Sequence, residues 1–577
     1  MFKTIWPAAL IFVFVAAMGY GANEANLPGN NVFAGLSDGS FGSDFTFAPG
    51  KDSDRSISIV AQEPYTRRYL PVVRAVEEEM KTLKIPGAAV AIVEAGETTF
   101  AVGFGSRHPQ RNDPVQPTTL FRIGSVTKTL TAIGLLGLVE QGLVDINAPI
   151  TDYIPEFSFA RDANWAPSIT VRNLLTHTSA IADYFEIDTP EYKDDEALSR
   201  FFSGPYGELP YAYLMAPAGR MFNYTNPGFM LAGWITQSVG DSYYRLYIDE
   251  NVLTPLEMTR TFFLPEEVIA DGDFAYGSAL HWETGQPFVV EPNSYDNGWA
   301  RPAGMAFSNV LDLVKVVKFL RAGQPEVLAD EWRIVMQEPQ MDTELFMDLV
   351  HYGYGLMVQE AGFYHPTAPN FYRLRVVSHG GDVPGFSADV YYVPELDFGF
   401  VALTNASYAH LHTSFATALT TLCTMPAPVP PPDFSMTAAD YARYCGQFHD
   451  AYNVGDVLVQ TNAGQLTVEI PAFDQAELKY NHTLLPASRN NFVLYLYGLT
   501  LFDAYPLQVT FILDNDGLRE YFRTRSFVAQ YVAATPPGGG RRREATMPEP
   551  AHVPPISDWQ RYLPEPQLPF IMPPPRY

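Results

Sequence analysis

The sequence predicts a mixed α/β fold of the α+β type for most of the chain, followed by an all-β region. A helical pattern, VVRAVEEEMKTLKI, leads into two alternating segments, AAVAIVE and TTFAVGFG, which predict strands joined at Ala95-Gly96. Helical and strand patterns then mix as far as about residue 425, and no internal repeat is visible. Four alternating segments near the C-terminus, DVLVQT, QLTVEI, FVLYLY and LQVTFIL, predict a small antiparallel barrel or sandwich.

Shifts in composition divide the chain of 577 residues, which exceeds the size at which a single hydrophobic core stops growing. Proline-rich stretches, and stretches rich in Gly, Asn, Ser and Asp, mark the boundaries. The predicted parts are a signal peptide (1–22), a flexible leader (23–64), a main domain (65–425), a proline-rich linker (426–434), a β-barrel-like domain (435–533) and a disordered proline-rich tail (534–577).

The N-terminus is typical of an export signal. Lys3 supplies a positive charge, and Ile5 to Met18 is an apolar stretch too short for a comfortable membrane span. An uncleaved anchor is the alternative, because Pro7 and the aromatic residues interrupt the usual pattern. The segment therefore predicts a secreted or periplasmic protein, with no stable membrane span once the signal is removed.

The net charge of the chain narrows the classes of molecule that it could bind. A formal net charge of −27 argues against nucleic acid and anionic membrane surfaces. A small-molecule or peptide substrate is the expected partner, and the sequence leaves the oligomeric state open.

Cys423 and Cys445 flank the linker, so in an oxidising compartment they would either form a disulfide between two domains or remain free thiols.

The motif Ser125-Val-Thr-Lys128 places a nucleophile and a proton acceptor one helical turn apart. A serine hydroxyl attacks poorly at neutral pH unless a base takes its proton, and a partly desolvated lysine can do so. The apolar run that follows, TLTAIGLLGLVE, predicts a buried helix that ends before Gly142. A serine and a lysine at this spacing also occur by chance, so the interpretation depends on partners elsewhere in the chain.

Tyr224-Thr-Asn226 is the second chemical element. A tyrosine close to a lysine can carry protons between nucleophile and leaving group, and the asparagine amide can bond a substrate carbonyl and the lysine. The motif stands just before a predicted helix of small residues, whereas a core or turn tyrosine is the alternative interpretation. The similar Tyr295-Asp-Asn297 lies in a polar loop, where we expect a surface role.

His379-Gly-Gly381 is the third element, between strand-like residues and a Gly/Pro turn. Consecutive glycines on an edge strand leave room for a substrate backbone, and a backbone N–H there can form an oxyanion hole together with the Ser125 N–H. By position this second donor is Asp382. We expect His379 to bind a substrate carboxylate when it is protonated, or to hydrogen-bond Tyr224 when it is neutral.

Three other histidine patterns are interpreted as structural: His351-Tyr-Gly353, His177 and His410-Leu-His412. The pair at 410 and 412 could in principle ligate a metal, but no third ligand stands nearby in the sequence. We therefore expect neither a metal nor a cofactor.

The set Ser125-x-x-Lys128, Tyr224-x-Asn226 and His379-x-Gly381, in this order, resembles the class C β-lactamase-related serine hydrolases, a superfamily that also contains DD-carboxypeptidases, D-amino-acid peptidases and esterases. Flanking phrases such as FRIGSVTKTLTA, ITVRNLLTHTSAI and SHGGDVPGFSA are similar to the family's pattern, and the resemblance covers about residues 70 to 425. It implies a five-stranded antiparallel sheet flanked by helices, beside a helical subdomain, with the active site between them. It also implies an acyl-enzyme on Ser125, with Lys128 and Tyr224 handling the protons and Asn226 orienting the substrate.

One departure from the β-lactamases matters for function. Their third motif normally begins with a lysine, whereas here it begins with His379. Histidine is only partly charged near neutral pH, so a carboxylate-bearing antibiotic lacks a steady partner. We therefore expect an exported serine hydrolase that cleaves ester or amide bonds, rather than an antibiotic-resistance enzyme. The alternatives are a true β-lactamase or DD-carboxypeptidase, and a catalytically silent binding protein on the same fold.

The C-terminal β-rich segment resembles the small barrel domains appended to several of these peptidases and esterases. In those branches the domain can shape or cover the active site. An add-on that only stabilises the protein is the alternative.

Overall fold

The structure is a computed structural model. It describes residues 66–159, 168–184, 191–209, 212–281, 284–345, 349–364, 370–433, 436–499 and 502–533. The predicted signal peptide, leader and tail lie outside the described residues, so export and disorder stay predictions.

Helices and strands mix in the first part of the chain, and strands dominate the last part. The helices are α1 (Thr66–Thr82), α2 (Thr127–Glu140), α3 (Val171–Leu175), α4 (Ala197–Phe202), α5 (Asn226–Val239), α6 (Tyr244–Ile248), α7 (Pro265–Asp271), α8 (Arg301–Gly304), α9 (Val310–Ala322), α10 (Asp330–Val335), α11 (His412–Leu422), α12 (Ala438–Tyr441) and α13 (Pro471–Gln475). The strands of the first part are β1 (Gly87–Glu94), β2 (Glu97–Gly105), β3 (Phe121–Arg122), β4 (Gly277–Leu280), β5 (Pro287–Val290), β6 (Phe307–Ser308), β7 (Met341–Asp342), β8 (Val350–Tyr352), β9 (Met357–Phe363), β10 (Phe371–Val383), β11 (Phe386–Val393) and β12 (Phe398–Thr404). Those of the last part are β13 (Gly446–Asp450), β14 (Gly455–Asn462), β15 (Gln465–Glu469), β16 (Lys479–Tyr480), β17 (Leu485–Ser488), β18 (Asn491–Leu499), β19 (Phe502–Leu513), β20 (Arg519–Arg523) and β21 (Val528–Ala533).

An antiparallel sheet of eight strands forms the centre of the first part, in the order β2-β1-β12-β11-β10-β9-β8-β7. It has three strands more than the resemblance implied. The two alternating segments of the sequence are β1 and β2, and the turn between them places Ala95 and Gly96 at φ of 51° and 82°. Two consecutive positive φ values give the turn whose twist matches that of the strands it joins, so the predicted hairpin is confirmed.

Helices cover both faces of this sheet. Alternate residues of β1 point to opposite sides, as the twofold strand period requires. One set joins the buried cluster that contains α1 and α11, and the other set joins the larger cluster that contains α2 and α9. The mixed fold expected for this part of the chain is therefore confirmed.

Helix α2 is buried on nearly all sides, because the run TLTAIGLLGLVE carries no charge before its last residue. It packs against α5, α6 and α8, and it is preceded by a 3₁₀ turn at Gly124–Val126. Gly142 follows the helix with φ of 71°, a conformation that glycine adopts without strain. This agrees with the helix end that the sequence predicts.

The described residues 436–499 and 502–533 are called here the C-terminal β region, and their strands form a single antiparallel sheet. Its order is β15-β14-β13-β21-β20-β19-β18-β16, with β17 beside β18. The sheet surrounds its own apolar core, in which Phe448, Phe492, Phe511 and Phe522 are fully buried. The predicted all-β character of this region is confirmed.

The C-terminal β region packs directly on the main part of the chain. Ala180 and Met221 share a buried cluster with Ile512, Tyr521 and Val528. These apolar side chains leave water only when the two parts are in contact, so their burial favours this arrangement of the two parts.

Two smaller findings concern sequence expectations. Cys423 and Cys445 are both free thiols, so the disulfide alternative is not realised. Among the helices of the described residues, none has the length and apolar character needed to cross a membrane.

Candidate active site

Ser125 lies in the 3₁₀ turn that leads into α2. Gly124 precedes it with φ of 49°, and a Cβ at Gly124 would come within 2.6 Å of the backbone N of Asp382. Only glycine fits this position, because the left-handed backbone and the close approach both exclude a side chain. Ser125 is partly exposed, while Gly124 and Val126 are buried. The turn therefore sets the serine beside β10 and leaves it accessible.

Lys128 is fully buried, and its Nζ atom lies within hydrogen-bonding distance of three oxygen atoms. The distances are 2.9 Å to Ser125 Oγ, 2.7 Å to Asn226 Oδ1 and 2.7 Å to the carbonyl oxygen of Ala303. The last two oxygens can only accept hydrogen bonds, whereas the serine hydroxyl can also donate. A neutral amine has two N–H groups and one lone pair, which match two carbonyl acceptors and one hydroxyl donor. The geometry therefore allows Lys128 to take the proton of Ser125.

Tyr224 and Asn226 stand at the start of α5, where Pro227 favours helix initiation. The Tyr224 ring centroid lies 4.9 Å from Lys128 Nζ. Asp183 accepts hydrogen bonds from the backbone N of Asn226 at 2.7 Å and from its Nδ2 at 3.2 Å. Because Nδ2 is committed to a carboxylate, the amide oxygen of Asn226 faces the lysine. Asp183 is a site residue that the sequence did not single out.

Strand β10 extends past the end of β9 and so presents an open side near Ser125. Its last residue paired with β9 is Ser378, whereas its pairing with β11 continues to Val383. A Cβ on Gly381 would lie 2.0 Å from the carbonyl oxygen of Ile123 and 2.8 Å from the backbone N of Ser125. Glycine at 381 therefore allows the strand to touch the serine turn.

The backbone of Asp382 faces this turn, and its side chain points elsewhere. Asp382 Oδ1 accepts from Ser387 Oγ at 2.6 Å and from the backbone N of Tyr408 at 3.2 Å. The backbone amides of Ser125 and Asp382 thus lie in two segments that are in close backbone contact at Gly124 and Gly381. Two such amides can stabilise the negative oxygen of a tetrahedral intermediate.

His379 is buried and uncharged. Burial, with a smaller contribution from the positive charge of Lys128, lowers its pKa to about 3. Its Nδ1 lies 2.6 Å from the carbonyl oxygen of Gly380 and its Nε2 lies 3.0 Å from the hydroxyl of Tyr352. Nε2 therefore faces the hydroxyl of Tyr352, and the expected hydrogen bond to Tyr224 stays a prediction. Burial favours the neutral ring over the protonated form that was expected to bind a substrate carboxylate, and this binding stays a prediction.

His177 lies directly against Tyr224, with ring centroids 4.0 Å apart. Its Nδ1 accepts from the backbone N of Thr225 at 3.1 Å, and its carbonyl oxygen accepts from the backbone N of Asn223 at 2.8 Å. Burial lowers the pKa of His177 well below its usual value. The residue is structural, as expected, but what it holds in place is the backbone on both sides of Tyr224.

His410 lies between two buried carboxylates, at 2.7 Å from Asp382 Oδ2 and 2.9 Å from Asp389 Oδ1. Burial lowers its pKa, but the two carboxylates outweigh burial and raise the pKa of His410 well above its usual value. The imidazolium donates to both carboxylates. We call these three residues the His410 cluster. In the described part of the chain, no group of His, Cys, Asp and Glu is arranged to hold a metal.

The second tyrosine motif is not at the surface. Tyr295 and Asn297 are buried, and Arg122 donates a hydrogen bond to the carbonyl oxygen of Tyr295. The expectation of a surface role was wrong, because this polar loop enters the core beside fully buried Trp299.

The C-terminal β region reaches the candidate site. The guanidinium of Arg525 bonds Asp183 Oδ2 through Nε at 2.9 Å and lies 4.6 Å from the Tyr224 ring centroid. The region therefore contacts residues that lie next to Lys128 and Asn226. Sequence reasoning missed Asp183 and Arg525, since neither stands in a recognisable motif, and it interpreted His351-Tyr-Gly353, which contains Tyr352, as structural.

Comparisons with known proteins agree with this architecture. The β-lactamase family model matches residues 72–422. Protein flp of Staphylococcus aureus (strain MW2) is 25% identical over 333 residues, which cover 57% of this chain and 61% of that protein. The chain thus spans about three-fifths of the length of this curated relative.

Two solved structures share the fold over most of the chain. The crystal structure of SurE matches with a TM-score of 0.59 and 21% identity, covering 81% of this chain and 99% of that chain. An octameric penicillin-binding protein homologue from Pyrococcus abyssi matches with a TM-score of 0.51 and 24% identity, covering 78% and 98%. With the family model matched over more than half of its length, the chain belongs to the β-lactamase family of serine hydrolases.

Proposed function

We propose that the protein is a serine hydrolase that cleaves ester or amide bonds through an acyl-enzyme on Ser125. One observation carries this proposal. Lys128 Nζ lies 2.9 Å from Ser125 Oγ and 2.7 Å from each of two carbonyl oxygens, which can only accept. The serine hydroxyl is therefore the group in this set that can give the amine a proton.

The reaction follows from this arrangement. Ser125 Oγ attacks the acyl carbon while its proton passes to Lys128, and the carbonyl oxygen becomes an oxyanion between the amides of Ser125 and Asp382. Collapse of the intermediate expels the alcohol or amine, which takes a proton from the Lys128–Tyr224 pair. Water then attacks the acyl-enzyme by the same steps, giving the acid and regenerating Ser125.

The neutral state of His379 supports a peptidase or esterase rather than an antibiotic-resistance β-lactamase. A ring with a pKa of about 3 supplies no positive charge to a substrate carboxylate at neutral pH. The hydroxyl of Tyr352 already occupies its Nε2. We therefore infer that the acyl substrate is not anchored by a carboxylate at this position.

The proposal is tested by labelling with a fluorophosphonate probe. We expect one labelled peptide containing Ser125, no label in Ser125→Ala, and label unchanged in Ser238→Ala, whose hydroxyl bonds the backbone oxygen of Tyr153 at 3.1 Å. Lys128→Met should label at least about 100-fold more slowly, because the serine loses its proton acceptor. Folded wild-type protein that remains unlabelled, with no turnover of short acyl esters, would instead support the silent binding protein.

A substrate panel separates the enzyme classes. We expect turnover of p-nitrophenyl acetate or of peptides ending in D-Ala, with the cephalosporin nitrocefin a poorer substrate. All of these rates should vanish in Ser125→Ala. Nitrocefin hydrolysis faster than ester and peptide hydrolysis would overturn the inference drawn from His379.

A further inference from the structure

The last residue of β20 and the turn after it contact three consecutive residues of the segment that carries Tyr224. Arg523 donates a hydrogen bond to the carbonyl oxygen of Phe222. Asn223 Nδ2 donates to the carbonyl oxygen of Arg525 at 3.3 Å, and the Arg525 guanidinium lies over the Tyr224 ring. Residues 523–525 thus contact residues 222–224 at three neighbouring points, which restrain the backbone around Tyr224 more than a single contact would.

Arg525 also connects to the nucleophile through a continuous set of hydrogen bonds. Its Nε and Nη2 atoms lie 2.9 and 2.8 Å from Asp183 Oδ2, and both side chains are largely buried. The other oxygen of Asp183 holds Asn226, whose amide oxygen accepts from Lys128. Lys128 then reaches Ser125. A two-point contact between a guanidinium and a carboxylate fixes orientation as well as distance.

We propose that Arg525 is a positioning residue of the catalytic centre, by which the C-terminal β region holds Tyr224 and, through Asp183, Asn226 in their working places. This inference rests on the proposed function. It gives the C-terminal β region a part in catalysis that its distance along the chain does not suggest.

The charges around Tyr224 add an electrostatic effect. The groups that face it include the amine of Lys128, the cation Arg525, the rings of His177, His379 and Tyr352, and Asp183 beyond the guanidinium. Burial keeps the two histidines neutral, so they contribute no charge. Loss of Arg525 removes one cation and also uncovers the negative charge of Asp183. Both changes disfavour the ionised form of Tyr224, so their effects have the same sign.

The test compares Arg525→Met and Arg525→Lys with Glu520→Gln in the full chain. Glu520 is the matched control, because its ion pair with Arg220 also joins the two parts of the protein but contacts none of the site residues described above. The readouts are kcat, KM and their pH profiles on one acyl ester, with urea unfolding as the check on folding.

We expect Arg525→Met to lower kcat about 10- to 100-fold with KM changed less than about threefold, and to move the ascending limb of kcat/KM to higher pH. Arg525→Lys should restore the position of the limb and part of kcat, and Glu520→Gln should behave as wild type. If Arg525→Met does not fold, Arg525→Lys and Asp183→Asn decide the question, since each should lower kcat without a matching change in KM.

Two results would overturn the inference. One is wild-type kcat and pH profile in Arg525→Met while Ser125 still reacts with the fluorophosphonate. The other is an equal loss in Glu520→Gln, which would assign the effect to general docking of the two parts. Absence of the Ser125 label in the wild type would instead refute the proposed function, so the two failures are distinguishable.

Discussion

The contact between His379 and Tyr352 gives a prediction that can be worked through from the structure. His379 Nδ1 lies 2.6 Å from a carbonyl oxygen, which can only accept, so Nδ1 carries the proton of the neutral ring. Nε2 is then an acceptor, and the Tyr352 hydroxyl is its donor at 3.0 Å. The change Tyr352→Phe removes this donor and leaves the shape of the pocket almost unaltered.

The expected cost follows from burial. Tyr352 has 0% of its surface exposed and His379 has 4%, so water cannot easily replace the lost donor. A buried acceptor left without a partner costs about 1–3 kcal/mol. The ring cannot satisfy itself by gaining a second proton, because its pKa of about 3 keeps it neutral at the pH of the assay.

Urea unfolding at pH 7 measures this cost. Tyr352→Phe should lower the free energy of unfolding by about 1–3 kcal/mol, and the double-mutant cycle with His379→Leu should show a coupling of similar size. The control Tyr372→Phe should cost less, because the contact of that hydroxyl within the described residues is a long one of 3.4 Å from Asn370 Nδ2. A coupling below about 0.5 kcal/mol would refute the assigned protonation of His379.

Two further predictions concern β10 and the residues around it. Gly381→Ala should lower kcat/KM by about 100-fold or more, because the new Cβ would lie 2.0 Å from the carbonyl oxygen of Ile123. The control Gly380→Ala should keep kcat/KM within a fewfold of wild type, because its Cβ would have no neighbouring atom closer than 3.7 Å. Equal activities of the two alanine variants would contradict this prediction. The His410 cluster should make the free energy of unfolding depend on pH, because the pKa of His410 is higher in the folded than in the unfolded protein. Its stabilising contribution is complete below the unfolded pKa, and it is lost as the pH rises through the folded pKa. The difference in unfolding free energy between wild type and His410→Gln should therefore be largest near pH 6 and shrink toward pH 10 in urea titrations, and a difference that grows with pH would show the reverse sign.

Local patterns in the sequence predicted much of the fold and the centre of the site. The i, i+3 spacing of Ser125 and Lys128 is enough to bring their side chains together on one turn. Alternation predicted the strands of the C-terminal β region, because a strand with one buried face repeats every two residues. The turn at Ala95-Gly96 marked the hairpin of β1 and β2, although β1 is buried on both faces. These features depend on near neighbours in the chain.

The partners that complete the site were not predictable in this way. Asp183 and Asn226 are 43 residues apart, and Asp183 and Arg525 are 342 residues apart. No period or motif links such positions, since only the packing of separate elements brings them together. The same limit explains Tyr295, whose polar neighbours suggested exposure although the surrounding fold buries it.

The placement of Arg523 and Arg525 has a consequence for how the protein matures. Chains are synthesised from the N-terminus, and domains generally fold as units in that order. The main part of the chain can thus be complete while the last strands, β20 and β21, are still being made. If Arg525 positions Tyr224 and Asn226, acyl transfer begins only after this late segment docks. Such an enzyme is latent while it is synthesised and becomes competent in its final folding step.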